Sequence, residues 1–420
     1  MKRRDAGVAW TRVTSLTAAL LAACGDPATE RAPKGDAAPV AVERTSGGNI
    51  ARGCVAAYDS TTDYFPKKSA PSVAEQFSIT YHKHYKVITV TPRRDTTLRL
   101  SYTLVQCGTP TPAGIDPRRT FQVPITRLAV THPDYYGVVD TLGLLDRLVA
   151  LGPVQRLWHA RLRDAVRDGR VREVGPQQHL DVETLIALRP DVIMSYWSAA
   201  PEFNAPAKLD ELGIRSVALL GHWERHPVGG LEWVEVVAAF ANLEGSANAI
   251  VRGIRTRYDS LRAAVATVPP RLVMHGVPQR DRWGLIRLDY AFHRLLQDAR
   301  LTYAFADLVD GAAFPQTTFE AVLPTAQRTT LWVGGNSTWR TTSDIVASDS
   351  RLATLPAVRT GDVYTLDAGR DAEDRYPYPE QWLFRPDLYL ADLVAVAHPQ
   401  QPPGHTFAFM RRIGTSAAPP

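Results

Sequence analysis

The chain has 420 residues, 45% of them hydrophobic and 22% charged, a balance that excludes global disorder and a length that exceeds one compact core. The formal charge is +5, and residues 1–23 supply three of those charges, with Lys2, Arg3, Arg4 and Arg12 set against Asp5. The small remaining excess, without a dense Lys/Arg run, argues against a nucleic-acid partner.

The N-terminus reads as a targeting segment. Lys2-Arg3-Arg4 precede an apolar run over 13–23 that is too short to span a bilayer as a stable helix. It ends in Leu21-Ala22-Ala23-Cys24 followed by Gly25, which resembles a bacterial lipobox. We expect a signal peptide over 1–23 and lipid on Cys24, holding the chain to a membrane on its periplasmic or outer side. The alternatives are a plain secretory signal with an incidental cysteine, or a buried apolar segment. Residues 24–48, rich in Ala, Pro, Gly and charge, read as a flexible tether. With Cys24 assigned, Cys54 and Cys107 remain, and an exported chain makes a disulfide between them the simple expectation. Two unpaired buried thiols are the alternative.

Residues 49–120 read as an antiparallel β-extension. "FSITYHKHYKVITV" alternates and is rich in β-branched and aromatic residues, and "TLRLSYTLVQC" follows after Pro92-Arg93-Arg94-Asp95, a turn signal. His82 and His84 would share one strand face there. From about residue 124 short apolar strands (Leu128-Ala129-Val130, Val192-Ile193-Met194, Ser216-Val217-Ala218-Leu219) alternate with helical stretches, "YYGVVDTLGLLDRLVAL" and "EFNAPAKLDELG". This pattern predicts a mostly parallel sheet in an α/β lobe over 121–228. A second α/β lobe is expected over 269–400, from "RLVMHGV" through "AFHRLLQDA", "LWVGG" and "VYTL", with a tail over 401–420. Between them, in a helical segment over 229–268, Ile250, Ile254, Tyr258, Leu261, Val265 and Val268 recur at steps of three and four. That predicts a rod of roughly 28 Å joining the lobes. The two blocks echo each other, "LDVETLIALRPDVIM" against "TTFEAVLPTAQRTTLWV", each with a glutamate near a helix start.

No sequence signature of catalysis stands out. His222, Glu224 and His226 in "GHWERHP" would suit a metal at alternating spacing, but Gly221 and Pro227 mark a loop, and a lipoprotein metalloenzyme is the minority reading. We expect no catalytic residues, no resident metal and no cofactor. Aromatic and basic residues following strands are the better clue, since ligands in open α/β sheets sit outside the carboxyl ends of strands. Tyr196, Trp197, Trp223 and Arg225 come from the first block and Trp283, Asn336, Trp339 and Arg340 from the second, with His132 and Arg385 behind them.

These features together resemble a known family. "FSITYHKHYKVITV", "YTLVQCGTP", "VPITRLAV", "REVG", "LDVETLIALRPDVIM", "LDELGI", "FEAVL" and "GDVYTLD", spread over 77–398, make the chain similar to the substrate-binding lipoproteins of ABC importers for ferric siderophores, cobalamin and haem. In the second lobe Thr325-Ala326-Gln327-Arg328 replaces the family's Lys/Arg-Pro-Asp ending. The resemblance implies a monomer of two lobes on a rigid helix that binds a chelate, a ferric siderophore first, cobalamin or haem second. It also implies an ABC permease dimer as partner, which reads one glutamate on each lobe. By motif these are Glu183 and Glu320, and the residue-level alternative is that each simply favours its helix N-terminus.

Overall fold

The structure, a computed structural model, describes residues 48–95, 97–198, 200–312, 314–399 and 404–415. The expected signal peptide over 1–23, Cys24 and all but the last residue of the tether lie outside the described residues.

The β-extension is built from β1 (Phe77–Tyr81), β2 (Tyr85–Val90), β3 (Leu100–Gln106) and β4 (Thr120–Val123), in that spatial order. The first three are antiparallel, whereas β4 joins β3 in parallel, so the sheet is mixed and runs past residue 120. The alternating stretch is two strands, not one. The His82 N–H donates to Tyr85 O at 2.8 Å and closes a hairpin, which puts His82 and His84 in its turn instead of on a shared strand face. His82 stacks on Tyr85 at 4.1 Å, and His84 stands edge-on to Tyr58. Alternation in β2 buries Lys86, Ile88 and Val90. Lys86 is accommodated because its ammonium meets Glu244 and the Asn242 Oδ1, so a fully buried charge is paired. Cys54 and Cys107 form the expected disulfide, tying the arm that precedes β1 to the end of β3.

The first lobe holds β5 (Leu128–Val130), β6 (Leu148–Leu151), β7 (Arg172–Glu173), β8 (Val192–Tyr196) and β9 (Ser216–Leu219), all parallel in the order β7-β6-β5-β8-β9. Strand order reverses at β5, the place where such sheets open a ligand crevice. Residues 135–151, expected as one helix, instead give a short helix, Tyr136–Thr141, and the strand β6. Gly143 ends the helix at φ +67, a conformation glycine adopts without penalty.

Two helices follow. Pro227–Ala241 is buried along all of its 15 residues. Asn242 at φ 59 breaks the chain, and Glu244–Ala264 then runs 21 residues, roughly 32 Å. Its buried positions Ala247, Val251, Ile254 and Tyr258 keep the predicted spacing, but Val265 and Val268 lie beyond its end. Val251 and Ile254 pack into the first lobe's core and Tyr258 into the second's, as expected of an interlobe strut.

The second lobe contains β10 (Arg271–His275), β11 (Pro278–Gln279), β12 (Arg282–Gly284), β13 (Leu301–Tyr303), β14 (Gln316–Thr318), β15 (Trp332–Gly335), β16 (Val363–Thr365) and β17 (Arg411–Arg412). Its main sheet, β13-β10-β15-β16-β17, is parallel except for β17, and β11-β12-β14 form a small antiparallel sheet. After β16 the chain crosses back. The helix Tyr378–Gln381 lies against the first lobe, and Leu383 and Phe384 enter that lobe's core before Pro386–Ala397 returns to the second.

The disulfide closes a loop of 53 residues in sequence separation. In the chain-entropy treatment it contributes about 4 kcal/mol. Replacing both Cys54 and Cys107 by Ala should therefore lower unfolding stability by roughly that amount in denaturant titration. Unchanged stability would mean the bridge adds no constraint.

Candidate functional site

A cavity of about 610 Å³ opens between the lobes. The first lobe supplies Tyr196, at the carboxyl end of β8, and Trp223, just after β9. The second supplies His275 at the end of β10, Gly334 in β15, and Arg287, Tyr290 and Phe292 from the stretch after β12. Tyr378 and Trp382 come from the returning segment and Tyr389 from the helix after it. The walls are therefore largely aromatic, and both sheets present their carboxyl ends to the same space.

Among the described residues no Asp or Glu lines the cavity, Arg287 is its one charged side chain, and Gln279 and Gln316 add neutral polar groups. His275 is kept neutral, because burial pushes its pKa down to about 4. Its ring lies against Gly334 at φ +73, where any Cβ would collide with the imidazole. Burial raises the phenol pKa values of Tyr196, Tyr290 and Tyr378, so these too are uncharged. Arg287 gives its Nε and Nη2 to Asp289, while Nη1 is buried without a partner. The Trp223 Nε1–H is buried and unpartnered as well. Each unmet buried donor costs about 1–3 kcal/mol, so an acceptor supplied to Arg287 Nη1 or Trp223 Nε1 would be favourable.

Behind the wall, three rings stack. His132 lies 4.2 Å from Tyr196, and Tyr196 lies 3.6 Å from His222. His222 is buried with both ring nitrogens unpartnered, and desolvation holds its pKa far below the ordinary value. The stack fixes the Tyr196 ring at the cavity surface.

Of the eight residues named from sequence as ligand-binding, the structure brings Tyr196 and Trp223 to the cavity. Trp197 packs edge-on to Trp223 at 6.4 Å within the first lobe's core. Trp283 and Trp339 flank Trp332 in the second lobe's core, and the Trp283 indole donates to His275 O. Arg225 is exposed near Glu75, Asn336 accepts from the Thr338 N–H, and Arg340 faces Asp367 and Asp374. Arg385 is held by Asp387. Sequence reading missed Arg287, Tyr290, Tyr378, Trp382 and Tyr389. "YPYPEQW" at 376–382, where aromatics alternate with prolines, was the available signal.

His222, Glu224 and His226 do not converge. Glu224 accepts from the Glu75 and Gln76 N–H groups and the Trp233 indole, and His226 caps its helix by accepting from the Val228 N–H. Among the described residues no group of three His, Cys, Asp or Glu is placed to hold a metal.

Glu183 and Glu320 are both exposed and occupy the second position of their helices, Val182–Leu188 and Phe319–Ala326. The caps are other residues: Asp181 accepts from the Thr184 N–H and Thr318 from the Ala321 N–H. Glu320 lies 3.3 Å from Arg351.

The comparisons with known proteins agree with this architecture. Residues 128–369 match the model of a family described as periplasmic binding protein, and the chain belongs to that family. An uncharacterized lipoprotein of Methanocaldococcus jannaschii is 24% identical over 297 residues, 67% of each chain. In fold the chain is similar to a periplasmic binding protein from Veillonella parvula (12% identity, 77% of this chain and 95% of that one, TM-score 0.52). It is also similar to a periplasmic heme binding protein from Pseudomonas aeruginosa (18% identity, 70% and 100%, TM-score 0.51). A third is Helicobacter pylori CeuE with Ni(II) bound (15% identity, 67% and 86%, TM-score 0.51). No helix among the described residues is long and apolar enough to cross a membrane.

The returning segment that lines the cavity is fastened to the first lobe by Glu380, whose carboxylate accepts from the Trp158 and His159 N–H groups. Burial pushes its pKa from 4.5 up to about 7, with those two donors partly opposing the shift. A raised folded-state pKa means this group's contribution is full below the unfolded value and is lost as pH rises through the folded one. The stability difference between the protein and its Glu380→Gln variant should thus change by up to about 3 kcal/mol across that window. Denaturant titrations at a series of pH values check it; a flat difference would mean that folding leaves the Glu380 pKa unchanged.

Proposed function

We propose that the protein captures a ferric siderophore-type chelate between its lobes and delivers it, from a lipid anchor at Cys24, to an ABC importer. The observation that carries this reading is the interlobe cavity of about 610 Å³, walled largely by aromatic rings, with one arginine and no carboxylate among the described residues that line it. Flat aromatic faces suit a bulky chelate whose metal is already wrapped in an organic shell. Titrating intrinsic tryptophan fluorescence with a panel of ferric hydroxamates, ferric catecholates, cobalamin and haemin tests it, because Trp223 and Trp382 line the cavity. At least one ferric siderophore should saturate the signal at micromolar concentration or below, roughly −8 kcal/mol. Preference for cobalamin or haemin would replace the siderophore with that ligand.

For delivery, Glu183 and Glu320 remain the proposed handles. Their equivalent positions on the two lobes, exposed and not used as caps, support the reading, and carboxylates suit arginines on a permease. Glu183→Ala with Glu320→Ala should abolish uptake in cells while leaving ligand affinity unchanged. Normal uptake by the double variant would remove the docking role.

A further inference from the structure

The turn between β2 and β3 leaves the extension and reaches the cavity edge. Arg93 donates from Nη1 to the Asp289 carboxylate at 2.8 Å and from Nη2 to the backbone oxygens of Asp289 and Trp223, so it touches both lobes at once. Next to it, the exposed Arg94 lays its guanidinium 5.3 Å from the Trp223 ring, and Arg287 lies 5.1 Å from the same ring. Asp289 is the acid bound to Arg93 and Arg287, which leaves this corner with three cations against one anion. Arg94 forms no ion pair with a described residue. The corner's two cavity-lining residues each hold a buried donor without a partner, Arg287 Nη1 and Trp223 Nε1, and Arg287 is only 7% exposed.

We propose that the β-extension is part of the ligand site: Arg94, together with Arg287 and the Trp223 indole, recognises a carboxylate at the edge of an otherwise flat, apolar ligand. The chemistry is specific. A carboxylate has several acceptor sites for the two orphan donors, and a corner with three cations against the single acid Asp289 favours the anion over an ester or amide. Arg94 contributes charge from outside the wall, so it sets preference without shaping the cavity. This inference rests on the chelate-binding reading for the identity of the cavity, but names a feature that reading does not contain.

The test uses a matched pair, ferric protoporphyrin IX and its dimethyl ester, which share one outline and differ in two carboxylates, with calorimetry on the full chain. The wild type should favour the acid. Arg94→Ala should weaken acid binding by roughly fivefold, as for one partly screened charge. It should leave the ester unchanged, and Arg94→Lys should restore the acid. Trp223→Phe, which keeps a ring and removes the N–H, should also cost affinity for the acid selectively. Equal binding of acid and ester by the wild type, or equal loss of both in Arg94→Ala, would overturn the carboxylate corner while chelate binding stood. Binding of the acid and no binding of the siderophore panel would keep the corner and reject the siderophore. Failure of every chelate, in the panel and in the pair, would reject the chelate-binding reading and the corner with it.

Discussion

Two carboxylates on and beside one buried helix set the terms for the rest of the molecule. Glu232, within Pro227–Ala241, is 1% exposed and accepts from the Ser72 N–H and hydroxyl and from the Val73 and Ala74 N–H groups. Glu224, just before that helix, accepts from the next two N–H groups, those of Glu75 and Gln76. Five consecutive backbone amides of the arm thus answer two acids that burial would otherwise leave uncompensated. The arm is consequently an integral layer of the fold. Val73 meets the second lobe's core and Phe77 belongs to the first's, so the same few residues stitch both lobes to the central helix.

That arrangement bears on how the cleft works. The strut Glu244–Ala264 is one connection, the returning segment held by Glu380 is another, and the extension's Arg93 is a third. Lobes joined by these links, with Arg93 hydrogen-bonded to both, have little freedom for wide opening. A largely pre-formed cavity keeps its aromatic walls in place before ligand arrives, and the ordering cost on binding is correspondingly small. The stacked His132, Tyr196 and His222 act in the same direction, since a ring held between two others cannot swing away.

Much of this plan was legible in the chain, and the reasons are local. Ser216-Val217-Ala218-Leu219 reads as a buried strand because every residue is apolar or small, and the structure buries all four. The lobe order, the long helix and the cysteine pair follow from equally direct signals. What failed did so where a single residue decides. Gly143 turns an apparently continuous helical run into helix, turn and strand, and the His82 N–H bond to Tyr85 O closes a hairpin that alternation alone conceals. The returning segment was unreadable as part of the site, because nothing in "YPYPEQW" says that the chain crosses to the other lobe there. That crossing is a long-range packing decision, made where Leu383 and Phe384 find the first lobe's core.

The tryptophans show the same limit at the level of the site. Sequence offers several indoles after strands and no means of ranking them. Hydrogen bonding ranks them. The Trp283 and Trp332 indoles donate to the carbonyls of His275 and Gly276, and the Trp233 indole donates to Glu224, so these rings are complete within the fold. The Trp382 indole, though its ring faces the cavity, is satisfied by Asp134. Trp223 is the member of the set that faces the cavity with its donor unmet. A folded protein leaves such a group unpaired at a cost, and that cost is recovered when a ligand supplies the acceptor.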